Sequence, residues 1–233
     1  MVTRNRVDRH KTLLMICDVQ ERFREGTHGF NYMSQSIVKL IKASKYMKMA
    51  TLLTEQNGSG MFGLQVLTIS PLLKQPRPYL CRIGPTAHEI RSELTGPQHL
   101  GTFGKDCFTM ITDEVLPFLK NYDNFILVGI EAHVCILQTV LDLLDDPRLQ
   151  KRVYILADAI SACHELEIPL ALDRMRDMGA VVTTSEAILF QLMGDGAATD
   201  DKPISELIKA ERKNTAKALE TLLPHPSHTA PIK

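Results

Sequence analysis

The chain has 233 residues, 44% of them apolar, which suffices for one domain of ordinary size with a full core. Its 27 Lys plus Arg balance 27 Asp plus Glu, which excludes a global field drawing it onto nucleic acid or anionic lipid. Five scattered cysteines show neither the paired spacings of a zinc site nor the density of a secreted disulfide framework, so a reducing compartment is expected.

In chain order, residues 1–10 read as an N-terminal extension whose arginines are interrupted by Asp8 and which has no apolar signal core. Cytoplasmic placement ranks first and mitochondrial import second. No apolar run approaches the ~20 residues of a bilayer span. The apolar runs 11–17, 50–54, 124–130, 152–157 and 180–184 predict strands, most of them hydrophobic on both faces as in a central parallel sheet. Between and after them, three-to-four spacing predicts helices over 34–49, 112–120, 134–144 and 168–178, the last closed by Gly179. A helix over 185–193 capped by Ser185 follows, then an amphipathic one over 203–223 and a loose tail, 224–233.

Strands alternating with helices define a doubly wound, Rossmann-like α/β domain over 11–223, with helices on both faces of a mainly parallel sheet. Its working site is expected beyond the carboxyl ends of the strands, where strand order reverses. Residues 57–83 form an atypical insertion, opening on Asn57-Gly-Ser-Gly60 and containing the apolar hexamer Leu64–Ile69 and three prolines. A loop of that length is either a functional cover or disordered.

Cys135 is the leading candidate nucleophile, because a thiol in the first turn of a helix lies where unpaired N–H groups and the helix dipole favour negative charge. The alternative is a small apolar residue filling space beneath the helix. Asp18, at the end of the first predicted strand, is either a general base toward that thiol or a cap on the following turn through Gln20 and Glu21. Lys105 is predicted on a loop, where it either pairs with Asp18 or is solvated. His133 is the rival base, but positions two apart do not share a helix face.

The segments Leu14–Phe23, Lys105–Met110 and Gly129–Thr139 together resemble the isochorismatase-like cysteine hydrolases, most closely the eukaryotic isochorismatase domain-containing proteins. The resemblance covers most of residues 11 to 195, including Leu53–Gln56, Ala157–Ala159 and Val182–Ala187. It implies a six-stranded sheet and an Asp18, Lys105, Cys135 triad working through a covalent cysteine intermediate on a small amide or related substrate. It also implies a cis peptide at Ile130-Glu131, with the N–H groups of Glu131 and Cys135 forming an oxyanion hole. The isochorismate-cleaving branch acts on a vinyl ether and does not carry acyl chemistry over to this chain. Phe23, Glu55, Gln56, Phe108 and His133 are candidate pocket residues, with Glu55 and Gln56 equally suited to bracing the loop.

Metal-binding nicotinamidase relatives have Asp-x-His plus His after the second strand; this chain has Thr54-Glu-Gln-Asn57, so no metal and no cofactor is expected. A small-molecule substrate and a homo-oligomer are the expected partners. Two other readings are a catalytically weak scaffold on the same fold and, ranked lower, an RNA-processing protein.

Overall fold

A computed structural model describes residues 7–57, 83–146, 151–194 and 201–223. The interior of the insertion with its apolar hexamer, Cys81, and the expected tail lie outside the described residues.

Six strands form one sheet: β1 (Thr12–Cys17), β2 (Ala50–Gln56), β3 (His99–Lys105), β4 (Asn124–Gly129), β5 (Arg152–Ile160) and β6 (Val181–Thr183). Their order is β3-β2-β1-β4-β5-β6 and every pairing is parallel, so the mainly parallel expectation sharpens to wholly parallel. The order reverses between β1 and β4, which leaves a crevice at their carboxyl ends.

β1 is buried along its whole length because it has a strand on each side and helices on each face. Side chains alternate between the faces: Leu14 and Ile16 join one core, while Leu13, Met15 and Cys17 join the other. The first core packs under α1 (Phe30–Met47) and the C-terminal helices. The second contains Cys135, Ile136, Val140 and Leu143 and residues of the helix after β5. Strand parity therefore turns Cys17 toward the layer that holds Cys135.

The remaining helices are α2 (His88–Glu93), α3 (Leu116–Leu119), α4 (Leu137–Asp145), α5 (Glu167–Asp177), α6 (Ser185–Met193), α7 (Lys202–Ala210) and α8 (Arg212–Leu222). No helix among the described residues is long and apolar enough to cross a membrane.

Several expectations change. The helix over 112–120 reduces to the short α3, because Thr112 to Val115 make turns instead. The amphipathic stretch 203–223 is two helices, broken at Glu211, whose ψ of 3° leaves the helical range. Ser185 does not cap α6: the Thr184 hydroxyl accepts from Ala187 N, while the Ser185 N–H and hydroxyl both bond to the buried Asp158. Lys105 is on no loop; it is the last residue of β3 and is 2% exposed.

One buried cation lies away from the crevice. Lys39 of α1 is 2% exposed, and its ammonium donates to Thr215 Oγ1 of α8 at 2.7 Å. Burial pulls its pKa below the ordinary lysine value, against the opposing pull of Asp158, Glu186 and Glu211. Between the folded and unfolded pKa values the unfolded chain binds more protons, so this group makes stability rise with pH there. Lys39→Met is expected to raise stability at neutral pH by about 1 kcal/mol, since replacing a desolvated charge by an apolar chain of similar length is neutral to favourable. Urea titrations at pH 7 and pH 10 check it: the gain shrinks at the higher pH, as the native lysine loses its proton more readily than the unfolded one.

Candidate active site

The crevice is built by the ends of three strands and one turn. β1 ends at Cys17, and Asp18 follows with φ 53°, a left-handed conformation that costs a non-glycine residue about 1 kcal/mol. Its N–H donates to Thr54 O at 3.1 Å, continuing the β1–β2 ladder, and its carbonyl accepts from Gln20 N at 2.8 Å. The turn is further pinned by the Gln20 side chain, which accepts from Gln56 N at 2.9 Å and donates to Gly84 O at 2.7 Å. Asp18 thus hydrogen-bonds the next turn through its backbone, and its carboxylate is left to face the crevice. There Oδ1 accepts from the Thr54 hydroxyl at 2.8 Å and Oδ2 lies 2.7 Å from Lys105 Nζ.

Lys105 gathers the site. Besides Asp18, its ammonium reaches Gln56 Oε1 at 2.7 Å, the carbonyls of Phe108 at 2.9 Å and Cys107 at 3.0 Å, and Cys135 Sγ at 3.6 Å. Burial pulls its pKa down, but the combined pull of Cys17, Asp18 and Cys135 leaves it above the ordinary lysine value. At neutral pH Lys105 is therefore a desolvated cation with acceptors on most sides.

Cys135 comes from the chain after β4. Gly129 ends that strand at φ 116°, the Ile130-Glu131 peptide is cis, and residues Ala132–Ile136 make one wide π-type turn before α4. Such a turn is a recurrent local device at functional sites. The Glu131 carbonyl accepts from Val134 N and Ile136 N, both at 3.1 Å, and Ala132 N donates to Ser161 O at 2.9 Å. Thr139 ties this turn to the segment after β3: its hydroxyl donates to Cys135 O at 2.7 Å and accepts from Met110 N at 2.9 Å.

Asp18, Lys105 and Cys135 thus come together, and Cys17 joins them. The Cys17 and Cys135 sulfurs and an Asp18 oxygen all lie within 4.8 Å of one another. Donors of this type suit a soft cation, but the Lys105 ammonium already supplies positive charge there.

Of the pocket candidates, Gln56 bonds Lys105 and is 3% exposed, and Phe108 offers its carbonyl while its ring is exposed. Glu55 binds Thr86 through N–H and hydroxyl at 2.8 and 2.6 Å, Phe23 packs in the core on the α1 face, and the His133 ring turns toward Glu131, 3.8 Å away.

Two of the other described thiols, Cys163 and Cys17, are poor rivals to Cys135. Cys163 donates to Glu131 Oε1 at 2.7 Å, and burial together with that carboxylate pushes its pKa up to about 12. Burial, then a hydrogen bond to Cys135, pushes the Cys17 thiol well up too. Both are protonated at neutral pH.

Sequence reasoning missed Cys17, Thr54 and Thr139 as members of the site. Thr54 was findable: it lies in register with Cys17 across the β1–β2 pair, one step before Asp18. Thr54→Val is expected to cost about 1.5–3 kcal/mol, the usual worth of a hydrogen bond to a charged group, read as a lower urea midpoint at unchanged slope.

The fold and site together are those of a parallel α/β protein with an acid, an ammonium and a thiol gathered at the point of strand reversal. The chain belongs to the isochorismatase family: the Isochorismatase domain matches residues 12–187. It is 32% identical over 208 residues to the secreted isochorismatase effector Isc1 of Phytophthora sojae, covering 88% of this chain and 87% of that one. It is likewise 32% identical over 200 residues to isochorismatase domain-containing protein 2 of Xenopus laevis, covering 84% and 83%. Among solved structures it is similar to the MAR1 ribonuclease of Caenorhabditis elegans, with a TM-score of 0.73, 29% identity, and 88% and 92% coverage.

Proposed function

We propose that this chain is a cysteine hydrolase acting on a small amide or related compound, with Cys135 as nucleophile, Asp18 as proton acceptor and Lys105 as the cation that steadies both. The observation that carries this reading is the buried Lys105 ammonium, 2.7 Å from Asp18 and 3.6 Å from the Cys135 sulfur. Asp18 takes the thiol proton, the thiolate adds to the carbonyl carbon, and the amine leaves with the proton from Asp18, giving a thioester on Cys135. Water then adds to the thioester with Asp18 again as base, the C–S bond breaks to release the acid, and Asp18 returns the proton to the Cys135 sulfur. The backbone N–H groups of Glu131 and Cys135, in the turn after β4, are the assigned oxyanion donors.

Turnover of a panel of small amides by the native chain, Cys135→Ala and Asp18→Asn tests the proposal. Both variants are expected to lose roughly 10⁴-fold in kcat, as members of one catalytic unit do. Normal turnover by Cys135→Ala ends it.

RNA cleavage is a second reading, prompted by the name of the nematode relative. The balance of 27 basic against 27 acidic residues argues against it, and RNA affinity falling steeply with salt would revive it. Self-association is proposed as well, because Leu166 and Leu170, one helical turn apart, are 73% and 65% exposed. Light scattering at twice the monomer mass or more supports it; a monomer refutes it.

A further inference from the structure

We propose that Cys17 and Cys135 form a peroxide-responsive dithiol, in which Cys135 is the oxidised thiol and Cys17 resolves it as an intramolecular disulfide. The proposal rests on the reading of Cys135 as the reactive sulfur. Three observations carry it. The two sulfurs lie within 4.8 Å of one another. Strand parity fixes that approach, since Cys17 and Cys135 belong to the same core layer. Cys17 is fully buried and Cys135 only 3% exposed, so a bulky thiol such as glutathione is hindered from capping Cys135 and the neighbouring Cys17 is left as its partner. The disulfide requires the gap between the sulfurs to close to ~2.05 Å.

The chemistry balances with hydrogen peroxide as oxidant. The Cys135 thiolate attacks one peroxide oxygen; the S–O bond forms, the O–O bond breaks, and hydroxide leaves to become water with the thiol's former proton. The Cys17 sulfur then attacks the sulfur of the sulfenic acid; the S–S bond forms and the S–O bond breaks. The departing hydroxide takes the Cys17 proton, which Asp18, in the same cluster, is placed to relay. Two thiols and one peroxide become one disulfide and two waters. The other described cysteines fit the resolving role less well: Cys163 is held by Glu131, and the exposed Cys107 turns its sulfur to the Thr109 carbonyl at 3.4 Å. The disulfide would silence the nucleophile while shielding it from irreversible sulfinic acid.

The full native chain, treated with stepped hydrogen peroxide, blocked with N-ethylmaleimide and peptide-mapped, tests this. The expected result is a disulfide joining the Cys17 and Cys135 peptides, with both thiols restored by dithiothreitol. In Cys17→Ala and Cys17→Ser, Cys135 is expected to reach sulfinic acid roughly tenfold faster. Cys135 recovered as sulfenic or sulfinic acid in the native chain, with Cys17 still free or Cys135 paired elsewhere, overturns the proposal and leaves the hydrolase reading standing. A mapped Cys17–Cys135 disulfide alongside normal amide turnover by Cys135→Ala does the reverse.

Discussion

Lys105→Met is expected to lose both folding stability and turnover, and the two losses separate. The ammonium it removes satisfies Asp18, Gln56 Oε1 and two backbone carbonyls, all at 3.0 Å or less. Without it the buried Asp18 carboxylate keeps the Thr54 hydroxyl but no counter-charge, and breaking a buried ion pair from one side costs about 3–5 kcal/mol. Against a total stability of about 5–15 kcal/mol, that is enough to move a thermal midpoint by many degrees. Adding Asp18→Asn removes the orphaned charge, so the double variant is expected to recover a large part of the stability. Turnover is not expected to return, because the base and the cation are then both gone. Thermal and urea unfolding of the four members of this cycle, with amide turnover of each, give the coupling energy directly. A Lys105→Met chain as stable as the native one would mean that the Lys105–Asp18 ion pair does not hold this end of the sheet together.

Gly129→Ala is the second large effect, and it acts through the backbone. Gly129 stands at φ 116°, and an added Cβ would meet the Cys17 carbonyl carbon and nitrogen at 2.9 Å and its oxygen closer still. That strand pair cannot give way cheaply: Ile130 N donates to the same Cys17 oxygen at 3.0 Å, and both strands are buried throughout. A clash with backbone at a conformation side chains avoid belongs to the most damaging class of substitution, so a loss of about 4 kcal/mol or more is expected. Residual folded protein is expected to show Cys135 displaced from Lys105, read as slower turnover per folded molecule. Gly179→Ala is the control, because it too has a positive φ of 103° but no atom within 4 Å of the added Cβ. Equal effects at the two positions would mean that φ strain alone, and not the approach of β4 to β1, is what matters.

Much of the architecture was readable from residue patterns, for a physical reason. β1, β2, β4 and β5 are central strands with apolar side chains on both faces, and such runs announce themselves. β3 did not, because it is an edge strand, His99-Leu-Gly-Thr-Phe-Gly-Lys105, with two glycines and a half-exposed pattern. That is why Lys105 looked like a loop residue although its neighbours at the site, Asp18 and Cys135, were readable as a strand end and a turn. The Ser185 cap failed for a related reason: Asp158, from another strand, takes that serine's hydrogen bonds, and no local pattern records a partner 27 residues away. Cys17 was readable only as the last apolar residue of a strand. Its closeness to Cys135 needs the β1–β4 pairing, with Cys17 in register with Gly129, which a single sequence does not display.

The convergence of Asp18, Lys105 and Cys135 into one reactive unit is tested most directly by trapping the thiol with a small aldehyde and determining the crystal structure of the adduct. The account predicts a hemithioacetal on Cys135 Sγ alone, its oxygen within hydrogen-bond reach of the Glu131 and Cys135 N–H groups, and Lys105 still paired with Asp18. An adduct on Cys107 or Cys163 with Cys135 unmodified, or a Cys135 adduct whose oxygen points away from both amides, would contradict it.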